Sequence, residues 1–129
     1  MKKLADFVAS VLASDESIQA ATRGRVYPLT TKQGMHEYPI IFWHIVTDKT
    51  IEDYLHGIGQ AWKSEAQIDV FTKDVSASAN LAQVVCDAFN SAVLTDGILS
   101  SYSNEVVPSY ADEDETIHYA VRVFINHTL

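Results

Sequence analysis

A chain of 129 residues, 47% of them hydrophobic, suffices for one packed domain and at that size buries about two-thirds of the surface its unfolded form exposes. Its 17 acidic against 9 basic residues give a formal charge of -8, which opposes nucleic-acid binding through phosphate neutralisation and docking to an anionic membrane. The single cysteine, Cys86, excludes an intrachain disulfide and any CxxC metal or redox motif; it is expected to be a buried small apolar residue in a reducing compartment.

Leu4, Phe7, Val8, Val11 and Leu12 recur with helical spacing, with Asp6 and Ser10 on the other side, which predicts a helix from Lys2 to Ala13. Met1-Lys2-Lys3 leads into that amphipathic pattern, not into a continuous apolar segment, so no signal peptide is expected. Ser14 to Ser17 can cap a short further turn through Ile18 to Ala21, which Gly24 ends. Arg25-Val26-Tyr27 then reads as a short strand closed by Pro28.

The segment Leu29 to Glu37 is polar and aperiodic, a predicted loop. Pro39 suits only a strand start or edge, which places the next strand at Ile40 to Thr47. That strand is apolar on both faces: Ile41, Trp43 and Ile45 on one, Ile40, Phe42 and Val46 on the other. Either both faces are covered within the chain or one awaits a partner. The run from Pro39 to Val46 is far too short to span a bilayer, and a soluble, intracellular protein is expected. Asp48 to Gly59, with Tyr54, His56, Gly57 and Gly59, is expected to form a long hairpin or crossing arm.

From Trp62 to Leu94 the apolar period changes from two to about 3.6, a strand running into an amphipathic helix. Trp62, Ala66, Ile68 and Val70 share one face of the strand; Lys63, Glu65, Gln67 and Asp69 share the other. Leu81, Val84, Val85, Ala88, Phe89, Ala92 and Val93 form the helical stripe, and Thr95-Asp96-Gly97 is the expected stop. Ile98 to Tyr110 is a weaker, bulged strand with Pro108 near its end. After the acidic turn Asp112 to Glu115, Thr116 to Asn126 is a clear strand, with Ile117, Tyr119, Val121, Val123 and Ile125 opposed to His118, Arg122 and Asn126. The order predicts a single α+β domain over residues 1–129, a mostly antiparallel sheet packed on one face by two helices.

Chemical motifs are missing from this framework. No GxxxxGK[ST] occurs, and Gly57-Ile58-Gly59 is followed by Trp62 where a dinucleotide fingerprint needs its third glycine. His36-Glu37 opens like HExxH, but Ile40 occupies the second histidine position and a strand follows. Asp112, Asp114 and Thr116 are followed by Ile117 where a calcium loop needs glycine, and by Val123 where it needs glutamate. His118 and His127 are an odd number apart on one strand, so they point to opposite faces. The serines have no histidine near them in sequence, which leaves a triad assembled by the fold open while nothing points to one. No catalytic residue, cofactor or metal ligand is assigned, and Trp43 and Trp62 are expected in the core.

The whole chain resembles the tail completion, or tail terminator, family of long-tailed bacteriophages and prophages. The resemblance rests on the N-terminal helix followed by Arg25-Val26-Tyr27-Pro28, then the polar loop and Tyr38-Pro39-Ile40-Ile41 entering a strand. It continues in Gln67-Ile68-Asp69-Val70-Phe71 running into an alanine-rich helix, and in the acidic turn before Ile117-His118-Tyr119-Ala120-Val121-Arg122-Val123-Phe124. It implies a structural, non-enzymatic protein at the head-proximal end of a virion tail, assembled in the host cytoplasm. Its subunits would form a hexameric ring that stops tube polymerisation and joins tail to head. The implied partners are copies of itself, the major tail tube protein and a head completion or connector protein, with neither sequence-specific nucleic acid nor membrane. An acidic surface suits a channel that passes DNA without binding it.

A ring needs one patch of each subunit to meet a different patch of the next. The interface candidates are Lys32, Met35 and His36 in the polar loop, Phe42 and His44 on the two-faced strand, and Thr50, Tyr54 and His56 in the arm. Lys63, Glu65, Gln67 and Asp69 on the polar face of the next strand and Arg122 on the last complete the set. A head-side adaptor or minor neck protein is the alternative within a virion. A small enzyme using His44 or His56 with an acidic residue in a cleft is the alternative from another class.

Overall fold

A computed structural model describes residues 2–29, 37–54, 59–109 and 116–128. The predicted N-terminal stripe forms helix α1 (Lys2–Ser14), whose Leu4, Phe7, Val8 and Leu12 are buried. The expected short turn is a third helix, α2 (Glu16–Thr22), beyond the two expected to pack on the sheet. Asp15 caps it by accepting from Ile18 N at 2.9 Å, satisfying one of the N–H groups a helix start leaves open. Strand β1 (Val26–Pro28) follows.

The next strand is longer than its apolar run. β2 (Ile40–Tyr54) pairs with β3 (Gly59–Thr72) from Ile40↔Phe71 to Tyr54↔Gly59, with irregularities between Ile45 and Thr47 and between Thr50 and Glu52. The predicted end at Thr47 is therefore corrected: the ladder continues through the polar residues, because backbone pairing does not require apolar side chains. The expected arm exists as the far end of this hairpin, and its connection at 55–58 lies outside the described residues. β3 passes the last partner of the neighbouring strand at Trp62, so the hairpin projects about three residues, or roughly 10 Å, beyond the rest of the sheet.

Helix α3 (Val75–Asn90) starts at the cap Asp74, whose side chain accepts from Ala77 N at 2.8 Å. Its Leu81, Val85, Ala88 and Phe89 are buried as predicted, with Cys86 beside them. The stripe ends sooner than expected, since the helix stops at Asn90, capped by Ser91, and Val93 is 87% exposed. Past the cap the helical phase is lost, although Ala92 still packs on the core. Gly97 does take a left-handed conformation (φ 86°), but it turns the chain into β4 (Ile98–Ser109) and does not stop the helix. Finally β5 (Ile117–His127) inserts between β3 and β4.

The result is a five-stranded sheet in the order β1-β2-β3-β5-β4, antiparallel except for the β1–β2 pair. The helices lie on one face, where Ile41, Trp43, Ala66, Ile68, Val70, Val121, Val123 and Ile125 meet α1 and α3 in one continuous core. Phe7 and Phe89 join the two helices edge to face at 6.3 Å. Among the described residues no helix is long and apolar enough to cross a membrane.

Candidate functional site

Alternation along the strands sends Phe42, His44 and Val46, the odd residues of β3 from Lys63 to Phe71, and the even residues of β5 away from the helices. The two-faced strand accordingly has two regimes. At its start Phe42 is buried, flanked by Tyr27 and Phe71 with ring centroids 6.1 Å away in each case, so the chain covers its own second face there. Farther along, Val46 is 41% exposed, and across the sheet Tyr102 and Val107 are 42% and 45% exposed. Among the described residues the three helices all lie on the other face, which leaves this part of the sheet open.

Arg122 stands near the middle of the open face. It donates to Glu105 Oε1 on β4 at 2.9 Å and to Glu65 Oε1 on β3. The hydrogen bond to Glu65, then that to Glu105, raise its pKa above the ordinary arginine value, so the guanidinium stays cationic across physiological pH. Two carboxylates around one cation leave one excess negative charge. Beside this trio, Phe124 stacks on Tyr102 at 5.4 Å and lies under Lys63 Nζ at 5.9 Å.

A second polar group centres on Asp69, which is buried although its face is polar in sequence. Its Oδ1 accepts from Gln67 Nε2 and His118 Nε2, each at 2.8 Å, and the His118 ring stacks on Phe71 at 4.4 Å. Those donors compensate the cost of removing a carboxylate from water. His44 Nδ1 lies 3.9 Å from Asp69 Oδ2, beyond hydrogen-bond reach, and is buried without a hydrogen-bond partner among the described residues. The catalytic alternative thus finds His44 next to an acidic residue, but on a sheet face and with that carboxylate already held by two donors. Among the described residues no group of three or more His, Cys, Asp or Glu is placed to hold a metal ion.

Of the interface candidates, the structure gathers His44, Lys63, Glu65, Gln67, Asp69 and Arg122 on the open face, with Phe42 as part of its apolar cover. Thr50 and Tyr54 fall on the projecting half of β2, opposite Trp62 and Gly59. Lys32, Met35, His36 and His56 lie outside the described residues, as does the acidic turn Asp112 to Glu115. His118 and His127 do face opposite sides: His127 is buried under the helices, 2.7 Å from Ser64 Oγ. That contact between residues far apart in sequence, and the Glu65–Arg122–Glu105 trio, had no local signal. The pairing register alone creates them.

No protein-family model and no curated protein sequence matches the chain. Among solved structures it is similar to a chain of the virion of a native gene transfer agent (GTA) particle, with a TM-score of 0.75 and 15% identity over 95% of this chain and 92% of that one. At that identity the likeness shows a shared fold across nearly the whole of both chains.

Proposed function

We propose that this chain is a structural, non-enzymatic subunit of a phage or prophage virion, and that it caps the head-proximal end of the tail tube as a ring, ends tube growth and joins tail to head. The observation that carries the reading is the end-to-end fold likeness to a chain of an assembled virion. The resemblance of residue patterns along the chain points the same way. Two features of the fold support it: an open sheet face bearing Glu65, Arg122 and Glu105, and a hairpin projecting past the sheet. They are different patches of one subunit, as a closed head-to-tail ring requires. In this reading its neighbours are copies of itself, the tail tube protein and a head completion or connector protein.

Electron microscopy of the protein mixed with tubes of a major tail protein tests the reading. Rings at one tube end and tubes of fixed length are expected, with native mass measurement giving a hexamer. Tubes that grow uncapped, together with binding to portal complexes, would replace it by the head-side adaptor, which the same fold likeness also accommodates.

A further inference from the structure

On the helical side, remote from the open sheet face, two adjoining hollows of about 390 Å³ and about 590 Å³ share Ser10 and Thr95 and make one groove along α1. The groove follows α1 from Lys3 to Ser14, about 16 Å at 1.5 Å per residue, or three turns of a helix. Phe7, Val11, Ala88 and Ala92 supply its apolar lining. Val93 stands on its wall with 87% of its surface exposed, and Leu94 follows at 45%.

The charge around this apolar channel is one-sided. Asp6, Asp15 and Asp96 line it against Lys3, which leaves an excess of two negative charges. Ser14 at the end of α1 and Ser91, the cap of α3, both line the first hollow, and neither helix has a basic residue in its last turn. Their partial negative charges therefore add to the carboxylates. Helix α2 begins at the same end, but Asp15 caps it and contributes a full negative charge.

The geometry points to this groove as the docking site for a basic amphipathic segment of a different protein, about three helical turns long. Such a segment lays apolar side chains along the channel and sets lysine or arginine over its acidic rim. A second copy is a poorer occupant, because among the described helices only α1 carries basic residues, Lys2 and Lys3, and its apolar stripe is already buried in the chain's own core. The inference stands apart from the tail-terminator reading, since it concerns the opposite side of the molecule and needs no ring.

Fluorescence anisotropy with a labelled synthetic helix tests it, using leucines at i, i+3, i+4 and i+7 spacing and lysine elsewhere, beside a probe with the same leucines and glutamate elsewhere. The lysine probe is expected to bind at least about tenfold more tightly, and more weakly as salt rises. Val93→Lys and Asp96→Lys, both at exposed positions, should each cut binding about tenfold with unchanged circular dichroism. Amide shifts in nuclear magnetic resonance should cluster at Ser10, Val11, Ala92 and Thr95. Equal binding of the two probes, no binding at millimolar protein, shifts centred on Tyr102 and Phe124, or full binding by both variants would each overturn the proposal. Self-association of the protein alone that Val93→Lys abolishes would overturn it in favour of a second copy.

Discussion

Asn90, the last residue of α3, holds the backbone of Ser103 from both sides: its Nδ2 donates to the Ser103 carbonyl at 2.9 Å and its Oδ1 accepts from the Ser103 amide at 2.7 Å. Ser103 lies where β4 shifts register against β5, between Tyr102 and Glu105. A bulge leaves backbone groups without a ladder partner, and a side-chain amide can replace both bonds. Helix and edge strand are thereby tied together. Asn90→Ala should destabilise the fold by about 1–3 kcal/mol in urea unfolding, because the amide of a buried residue loses its acceptor. Asn90→Asp, which keeps the acceptor alone, should fall between the two. A loss below about 0.5 kcal/mol for the alanine variant would mean that water serves Ser103 equally well.

Ser64 and His127 make the corresponding tie at the base of the projecting hairpin. The Thr128 carbonyl, 3.0 Å from His127 Nδ1, can only accept, so in the neutral ring Nδ1 carries the proton and Nε2 accepts from the Ser64 hydroxyl. Ser64→Ala leaves that buried nitrogen without a donor. A loss of about 1–3 kcal/mol is expected by the same unfolding measurement. Ring nitrogen shifts should report the Nδ1–H tautomer in the wild type.

Arg122 should matter more through its position between two carboxylates than through either pair singly. Removing it in Arg122→Ala leaves Glu65 and Glu105 facing an excess of like charge, so the thermal midpoint should fall further than in Glu105→Gln. The difference should shrink in 1 M salt, where the screening length is about 3 Å. Since the guanidinium pKa is raised, its contribution is present below the unfolded-state value and is lost only as pH rises through the folded-state one. Its effect should therefore be flat from pH 6 to 9.

Phe89 is fully buried and meets Phe7 edge to face at 6.3 Å. Phe89→Ala opens a cavity between α1 and α3 and should cost about 3–5 kcal/mol in denaturant unfolding. Val93→Ala, five-sixths or more exposed and past the helix cap, is the contrasting case and should stay within about 0.5 kcal/mol.

Where a local pattern carries the structure, sequence and fold agree. The stripe of α1, the apolar positions of β3 and β5, the burial of Cys86 and the opposed faces of His118 and His127 all follow from periods of two and 3.6. Boundaries failed where the period was silent. β2 runs on to Tyr54 because β3 supplies a backbone partner, and α3 ends at Asn90 although apolar residues continue through Leu94. Asp69 was readable as a polar-face residue but not as a buried one, since its cover comes from Phe71, His118 and Gln67 only after the strands pair.

Residue type and spacing within single elements suffice for the α+β class, for the apolar face of each element and for the lack of familiar motifs. Tertiary structure alone decided the sheet order, the contacts of Arg122 with Glu65 and Glu105, the Asn90 clamp on Ser103 and the groove along α1. Each of these joins residues from elements separated along the chain. Their partners are chosen by pairing register and helix packing, and neither leaves a trace in local periodicity.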